Sequence, residues 1–237
     1  MVAGSPDIPL PFYNREAHGW YLNILPDGRY EVVHAIEHLA AIATPPVLVH
    51  TPIASLGEKT EKGHQVSGVR ETWHEIARQV EIDKEFLFEF TTAWRAFELF
   101  LAATYRMDGF REVVVTPPSN DGGRDVIASK KPGHSSAIIE QAKAYKAKHL
   151  VTHNHVREMI GVMAINDFSY TGSITTTSDF APTVRNSEQF SAFVPETLTL
   201  RSGTRLRDWL VTLISSPSSM ISHATQQFGI PALRFPV

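Results

Sequence analysis

Three polar residues stand in two neighbouring apolar stretches of the sequence. Asp125 begins the run DVIAS, and Gln141 and Lys143 lie two residues apart inside the run SAIIEQAKAY. Residues two apart on a β-strand project to the same face of a sheet, so Gln141 and Lys143 point together. If the two runs pair as a hairpin through KKPGHSS, Asp125 lies beside both of them. Gly122 and Gly123 allow the backbone to turn sharply just before Asp125.

This combination of side chains suits metal-assisted cleavage of a phosphodiester. Asp125 supplies an anionic oxygen and Gln141 a neutral carbonyl oxygen for Mg²⁺, which takes only one or two protein carboxylates and keeps waters and phosphate oxygens as its other ligands. Bound metal polarises a phosphate and helps to generate hydroxide from water. Lys143 then orients that water or neutralises the charge that builds on the phosphate. The alternative is a strand lysine that extends its ammonium to the surface, and the spacing alone leaves both interpretations open.

The composition is that of an ordinary globular protein. The chain has 237 residues, 43% of them hydrophobic and 20% charged, which is enough for one sizeable domain and a smaller appendage. It contains no cysteine, which excludes disulfides and cysteine-based zinc sites. No apolar run approaches the roughly 20 residues of a membrane helix, and the N-terminus lacks the features of a signal peptide. We therefore expect a cytoplasmic protein.

Charge is distributed unevenly along the chain. The formal net charge is −3, which gives no overall attraction to nucleic acid. Residues 101–157 nevertheless contain nine Lys or Arg against five Asp or Glu. A locally basic segment indicates either a polyanionic partner or a solvated face.

The first 68 residues differ in pattern from the rest. Two apolar runs flank Asp27-Gly28 in YLNILPDGRYEVVHAIEHL, which predicts a β-hairpin. The stretch SLGEKTEKGHQVSG is polar, contains three glycines and reads as a mobile loop or linker. These features predict a boundary near Gly68.

Beyond that boundary, helical and strand patterns alternate. Helices are predicted over 69–80, 85–110, 152–167, 180–190 and 203–215. Strands are predicted over 111–118, 125–129, 136–145, 172–178 and 196–202. This order implies a mixed sheet with helices on its faces.

Five blocks in this region occur in the order found in one nuclease family. They are AWRAFELFLAATYRMDGF, NDGGRDVIA, IIEQAKAY, VREMIGVMA and GSITTTSDFAPTVRN. From about Thr72 to Ser215 the chain therefore resembles the Mrr-like restriction endonucleases, within the PD-(D/E)xK nuclease superfamily. The resemblance implies an α/β fold with a restriction-endonuclease-like mixed β-sheet flanked by helices and a small N-terminal extension or domain. It divides the chain into an N-terminal region of unknown role (1–68), an Mrr-like nuclease domain (69–215) and a C-terminal tail (216–237).

The resemblance implies roles for individual residues. Asp125 matches the metal-binding aspartate and Lys143 the catalytic lysine. Gln141 stands where most of the superfamily has Asp or Glu, although the Mrr branch often has Gln. Glu98 matches a helix glutamate that completes the metal site in many members; the alternative is a polar position on an amphipathic helix. Asp121 matches the first aspartate of the Asp-Gly-Gly block, where we expect a turn role.

An amide at position 141 has an electrostatic consequence. Asp125 and Glu98 together carry a charge of −2, which balances one Mg²⁺ and leaves little for another. We expect Asp125, Gln141 and Glu98 to form a site for one metal ion, or for one ion and a second that is held only weakly through substrate phosphate.

The resulting hypothesis is an Mg²⁺-dependent endonuclease that hydrolyses DNA, in restriction or anti-phage defence. The residues expected to contact DNA phosphates are Lys130, Lys131, Lys146 and Lys148. A homodimer or a partner subunit of a defence system is a candidate assembly. The alternative is an inactive DNA-binding or assembly module that keeps the fold, and a third interpretation is a nuclease for RNA or branched DNA.

Three histidines follow the lysine-bearing run. His149, His153 and His155 lie close together in KHLVTHNHVR. They are open to three interpretations: a transition-metal site, contacts to phosphate, or simple solvent exposure.

Overall fold

The computed structural model describes residues 20–24, 30–35, 48–118, 122–130, 137–166 and 168–216, with side chains described from residue 53 onward. Asp121 and Lys131, both singled out from the sequence, lie outside these ranges. No helix within them is both long and apolar enough to cross a membrane.

Ten strands occur in the described ranges. They are β1 (Trp20–Ile24), β2 (Tyr30–Ala35), β3 (Leu48–Pro52), β4 (Ala54–Thr60), β5 (Gly63–Val69), β6 (Glu112–Val115), β7 (Val126–Ser129), β8 (Ala137–Lys143), β9 (Tyr170–Thr176) and β10 (Leu198–Arg201). The α-helices are α1 (Glu71–Ile82), α2 (Trp94–Met107), α3 (His153–Ile165), α4 (Pro182–Arg185) and α5 (Gly203–Ile214). Two 3₁₀ helices span Lys84–Thr92 and Glu188–Phe190.

The large sheet of the described chain has seven strands in the order β10-β9-β8-β7-β6-β5-β4. Neighbouring strands from β4 to β8 are antiparallel, whereas β8, β9 and β10 run parallel. Helix α3 provides the crossover between the parallel strands β8 and β9. The mixed sheet with flanking helices predicted from the sequence is therefore confirmed.

The N-terminal strands form a separate antiparallel sheet in the order β1-β2-β3. The pairing of β1 with β2 confirms the predicted hairpin, whose turn lies outside the described residues.

The prediction of a mobile loop over SLGEKTEKGHQVSG is wrong. This segment forms the hairpin β4–β5 at the edge of the large sheet, with Gly63 at its turn. Gly63 has φ +139°, and a Cβ there would come within 2.1 Å of the Val115 carbonyl oxygen, so only glycine fits against β6. The hairpin was missed because most of β4 is solvent-exposed and hence polar. The sheet thus crosses the boundary expected near Gly68, and the division of the chain into domains stays a prediction.

The prediction of one continuous helix over 85–110 is also wrong. The chain forms the 3₁₀ helix first, breaks at Ala93 with φ −133° and ψ 56°, and then begins α2. Across the break, Phe90 packs on Phe97 and Phe100 of α2, with ring centroids 5.4 and 5.3 Å apart. The expected end of the helix is correct, since Gly109 follows α2 with φ +83°, a conformation that terminates helices.

Two hydrophobic clusters cover different parts of the sheet. The larger joins α1, α2 and α5 to β4–β7, with Trp73 and Phe97 fully buried. The smaller joins α3 and α4 to β8–β10, around Ile139, Met159 and Ile174. Within β8, Ile138 and Ala142 pack against the larger cluster and Ile139 belongs to the smaller, so the two clusters cover opposite faces of that strand.

Candidate active site

Asp125 and Gln141 are brought together at the junction of β7 and β8. Val126 pairs with Glu140 in the antiparallel register, which places Asp125 opposite Gln141. The Asp125 N–H donates to the Glu140 carbonyl at 2.9 Å, and the Ala142 N–H donates to Asp125 Oδ2 at 2.7 Å. The Asp125 side chain is buried and held by the backbone of the strand that carries Gln141.

Two glycines shape the turn that leads into Asp125. Gly122 and Gly123 have φ +62° and +77°, in the left-handed region that glycine enters at no steric penalty. A Cβ on Gly123 would lie 3.7 Å from Gln141 Nε2 and 3.4 Å from a methyl group of Val162. The expected sharp turn is confirmed, and it passes directly over the Gln141 amide.

The Gln141 carbonyl oxygen is suited to a cation. Gln141 is buried, and its Oε1 has no hydrogen-bond partner among the described residues. A buried acceptor without a partner destabilises the fold by about 1–3 kcal/mol. An oxygen-seeking divalent cation beside Asp125 would satisfy this atom, so the residues present fit a Mg²⁺ ion.

Lys143 continues the face of β8 that carries Gln141. It is half-buried and pairs with Thr176 of β9. Its carbonyl accepts from the Thr176 hydroxyl at 2.8 Å and from the Thr177 N–H at 3.2 Å, which fixes the backbone beneath the ammonium. The charge of Lys143 also affects a residue of α3. Burial, and then the charge of Lys143, lower the pKa of His155 on that helix.

Glu98 is buried on α2 and forms an ion pair with Arg95, one helical turn earlier. Arg95 also donates to the Thr116 carbonyl at 2.5 Å, and the Thr116 N–H donates to the Asp125 carbonyl at 3.0 Å. These contacts tie α2 to the backbone of Asp125. The sequence analysis gave Asp125 and Glu98 a combined charge of −2 and did not include Arg95. The spacing of three residues between Arg95 and Glu98 on a helix could have indicated this ion pair.

The predicted DNA-contacting lysines lie at different ends of the sheet. Lys146 and Lys148 are exposed just after β8, at the same end as Lys143. Lys130 lies at the far end of β7, with its ammonium 4.9 Å from the centre of the Phe110 ring. The structure therefore groups Lys146 and Lys148, but not Lys130, with the candidate catalytic residues.

Two of the three histidines contact Tyr145, and the third lies elsewhere. His149 stacks on Tyr145, His155 Nε2 lies 3.1 Å from the Tyr145 hydroxyl, and His153 packs against Phe190. Within the described ranges, no group of three or more His, Asp or Glu side chains could hold a metal ion. The idea of a histidine-based transition-metal site therefore gains no support.

The opposite face of β8 carries a polar network that sequence reasoning missed. Glu140 is fully buried, and its Oε2 accepts from the Tyr105 hydroxyl at 2.6 Å and lies 3.5 Å from Arg201 Nη1. Arg201 also donates to Thr175 Oγ1 at 2.9 Å and packs 4.1 Å from the centre of the Trp209 ring. Burial, and then the charge of Glu140, raise the pKa of Tyr105. A glutamate inside an apolar strand was the only sequence signal for this network.

Comparisons with solved structures give partial similarity. The MspJI restriction endonuclease in complex with a 27-mer oligonucleotide aligns with a TM-score of 0.44 and 16% identity, over 80% of this chain and 43% of that one. The DNA modification-dependent restriction endonuclease AspBHI aligns with a TM-score of 0.42 and 16% identity, over 94% of this chain and 63% of that one. This chain spans less than two thirds of either of those proteins. No curated protein sequence matches it.

The match to a protein family is more extensive. A family model of the Mrr type, described as restriction endonuclease, matches residues 91–210, which is just over half of the chain. The matched region includes Glu98, Asp125, Gln141 and Lys143, together with α2, α3 and strands β6–β10. The chain therefore belongs to the Mrr-type restriction endonuclease family.

Proposed function

We propose that this protein is a Mg²⁺-dependent endonuclease that hydrolyses phosphodiester bonds of DNA. The observation that carries the proposal is the buried Gln141 carbonyl, which lies opposite Asp125 and has no hydrogen-bond partner in the part of the chain that the structure describes. Lys143 lies two residues further along the same strand. Family membership supports the same reaction class.

Asp125 and Gln141 are the residues that would hold the ion, and Glu98 would complete the site from α2. Bound Mg²⁺ supplies a Lewis acid that polarises the scissile phosphate and makes water a stronger nucleophile. The Ala142 N–H keeps the Asp125 carboxylate oriented before substrate arrives. Lys143 holds the attacking water or neutralises the charge that develops on the phosphate.

Arg95 limits how much positive charge this site accepts. Its guanidinium already pairs with Glu98, so a metal ion competes with Arg95 for that carboxylate. The formal charges of Asp125, Glu98 and Arg95 then add up to −1. This electrostatic balance favours a single metal ion over two.

DNA contacts follow from the position of the basic residues. Lys146 and Lys148 would contact phosphates near the scissile bond, because they share the Lys143 end of the sheet. Lys130, at the far end of β7, would contact DNA further away, and Lys131 stays a predicted DNA contact. Cutting both strands of a duplex needs two sites or two events, so a homodimer is part of the proposal. A role in restriction or anti-phage defence in the cytoplasm, with or without a partner subunit, completes it.

A plasmid-nicking assay tests the proposal. Wild-type protein should relax or linearise supercoiled plasmid with Mg²⁺ and not with EDTA. Lys143→Ala should abolish cleavage and weaken DNA binding by no more than about tenfold, because it removes one of several phosphate contacts. Lys59→Ala, an exposed lysine on β4, is the matched control and should cleave normally.

Two results would contradict the proposal. Undiminished cleavage by Lys143→Ala would remove the catalytic assignment. A wild-type protein that binds DNA but never cuts it would support an inactive DNA-binding or assembly module, and faster cleavage of RNA than of DNA would identify an RNA nuclease.

A further inference from the structure

The face of β8 that carries the candidate catalytic residues extends beyond the strand. Gln141, Lys143 and Tyr145 follow one another at intervals of two, which places them on one side of an extended chain. Past the end of β8 the alternation continues, since Ala144 packs against the larger hydrophobic cluster and Tyr145 against the smaller. The Tyr145 N–H donates to Thr177 Oγ1 at 2.7 Å, and the Thr177 hydroxyl donates to the Tyr145 carbonyl at 2.6 Å, which holds this segment beside β9. Tyr145 therefore stands next to Lys143 on the site face.

Two histidines fix the Tyr145 side chain. Its ring stacks on the exposed His149 ring with centroids 4.0 Å apart and planes 1° from parallel. Its hydroxyl lies 3.1 Å from His155 Nε2 on α3, its only hydrogen-bond partner within the described residues. The ring position and the direction of the hydroxyl are thus set before any substrate binds.

The direction of the Tyr145–His155 hydrogen bond follows from the cap of α3. His155 Nδ1 accepts from the Thr152 N–H at 3.1 Å in a capping box, so that nitrogen carries no proton. The neutral ring then has its proton on Nε2 and donates it to the Tyr145 oxygen. The phenol hydrogen is left to point away from His155.

The charges around this pair keep both groups in those states. Burial, Lys143 and His149 lower the pKa of His155, and Glu158 opposes them. Burial, and then the negative charge of Glu158, raise the pKa of Tyr145. At neutral pH the imidazole is a neutral donor and the phenol retains its proton.

We propose that Tyr145 is a further substrate-contacting residue, whose hydroxyl donates a hydrogen bond to a phosphate oxygen of the DNA strand beside Lys143. This inference rests on the proposed function for its substrate. A phosphate fits because it offers only acceptors, and the Tyr145 hydroxyl keeps its own proton to donate. Lys143, Lys146 and Lys148 lie in the same stretch of chain and would attract the phosphate to it. His155 acts through Tyr145 as a positioning residue.

Two variants separate these roles. Tyr145→Phe removes the hydroxyl and keeps the ring stack on His149. His155→Gln removes the imidazole donor, but glutamine at this helix position can still accept from the N-cap N–H in a capping box, so α3 keeps its cap. Tyr170→Phe is the control, because Tyr170 begins β9 at the opposite end of the sheet, beside Ala137.

The affinity of each variant for a short DNA duplex is measured in EDTA over a range of salt concentrations. Tyr145→Phe should weaken binding about tenfold, since hydrogen bonds to charged groups are worth that factor or more. The slope of affinity against salt should stay unchanged, because no cation is lost. Lys146→Ala should instead reduce that slope by about one.

His155→Gln should weaken DNA binding less than Tyr145→Phe does. The double variant should bind DNA as tightly as Tyr145→Phe alone, because His155 acts through the Tyr145 hydroxyl. Equal affinity of Tyr145→Phe and wild type would overturn the inference, as would additive losses in the double variant. If Tyr145→Phe does not fold, His155→Gln provides the test, and a DNA affinity of His155→Gln equal to that of wild type would also overturn the inference.

The inference and the proposed function fail in different ways. If the wild-type protein never cleaves DNA but Tyr145→Phe still binds DNA tenfold more weakly, the proposed nuclease activity is wrong and the Tyr145 contact stands. If the wild-type protein cleaves DNA and Tyr145→Phe cleaves and binds it equally well, the proposed function stands and the Tyr145 contact is wrong.

Discussion

The two faces of β8 carry adjacent buried polar side chains that serve different purposes. Glu140 and Gln141 each keep one oxygen without a hydrogen-bond partner among the described residues. The second oxygen of Glu140 meets Tyr105 and Arg201, which join it to α2 and β10. Gln141 instead lies opposite Asp125, which offers further oxygen atoms. The Glu140 side, here called the fastening face, joins β8 to α2 and β10. The Gln141 side, here called the ligand face, is the side on which we propose that a metal ion binds.

The largest expected effect is on the ligand face. Asp125→Asn removes the negative charge that would hold Mg²⁺, so cleavage should fall by at least about a thousandfold, equivalent to about 4 kcal/mol of transition-state stabilisation. The melting temperature should move by only a few degrees. Initial rates on supercoiled plasmid provide the measurement.

Asp208→Asn is the matched control, because Asp208 is an exposed aspartate on α5 that lies 3.9 Å from Arg207. It should cleave at the wild-type rate. Cleavage by Asp125→Asn within tenfold of wild type would contradict the ligand-face assignment.

The next effect is on the fastening face. Arg201→Met leaves Glu140 buried without its counter-ion, which should lower the free energy of unfolding by about 3 kcal/mol. Urea denaturation checks this value. Arg185→Met is the control, because Arg185 pairs with Asp179 at the surface and should change stability by about 1 kcal/mol or less. Equal losses in the two variants would mean that the buried network does not fasten β8.

A third change makes the ligand face more like the fastening face. Gln141→Glu places a second carboxylate beside Asp125, so Mg²⁺ should bind about tenfold more tightly, a conservative fraction of the attraction between charges at contact distance. Calorimetric titration of the protein with Mg²⁺ measures the affinity. An unchanged affinity would show that position 141 does not touch the ion.

The smallest expected effect concerns pH and His155. Its pKa in the folded protein is lowered below the value of 6.5 for an exposed histidine, so the unfolded chain binds more protons below pH 6.5. Stability should therefore be lost as pH falls through 6.5 towards the lowered pKa. Thermal melts from pH 7.5 to 5.0 should show a smaller decline for His155→Gln than for wild type, and parallel curves would contradict this assignment.

Much of the ligand face was predictable because it depends on local rules. The alternation of side chains along β8, the hairpin with β7 and the glycine turn before Asp125 all follow from short stretches of sequence. Register then placed Asp125 opposite Gln141 as expected. The mixed sheet followed from the order of helices and strands.

The remaining features depend on contacts between distant segments. Glu140 meets Tyr105 and Arg201 from 35 and 61 residues away, and no local pattern indicates that pairing. The hairpin β4–β5 is held by packing of Gly63 against β6, although its exposed residues have the composition of a loop. The break at Ala93 occurs without a proline or glycine to mark it, and it accompanies packing of Phe90 on two rings of α2.

The central claim is that Asp125 and Gln141 share one divalent cation. A crystal structure of the protein soaked in Mn²⁺, with the ion located by its anomalous scattering, tests that claim most directly. The account predicts one ion coordinated by an Asp125 carboxylate oxygen and by Gln141 Oε1, on the Lys143 face of β8. An ion bound elsewhere, or no ion between these two side chains at saturating Mn²⁺, would contradict it.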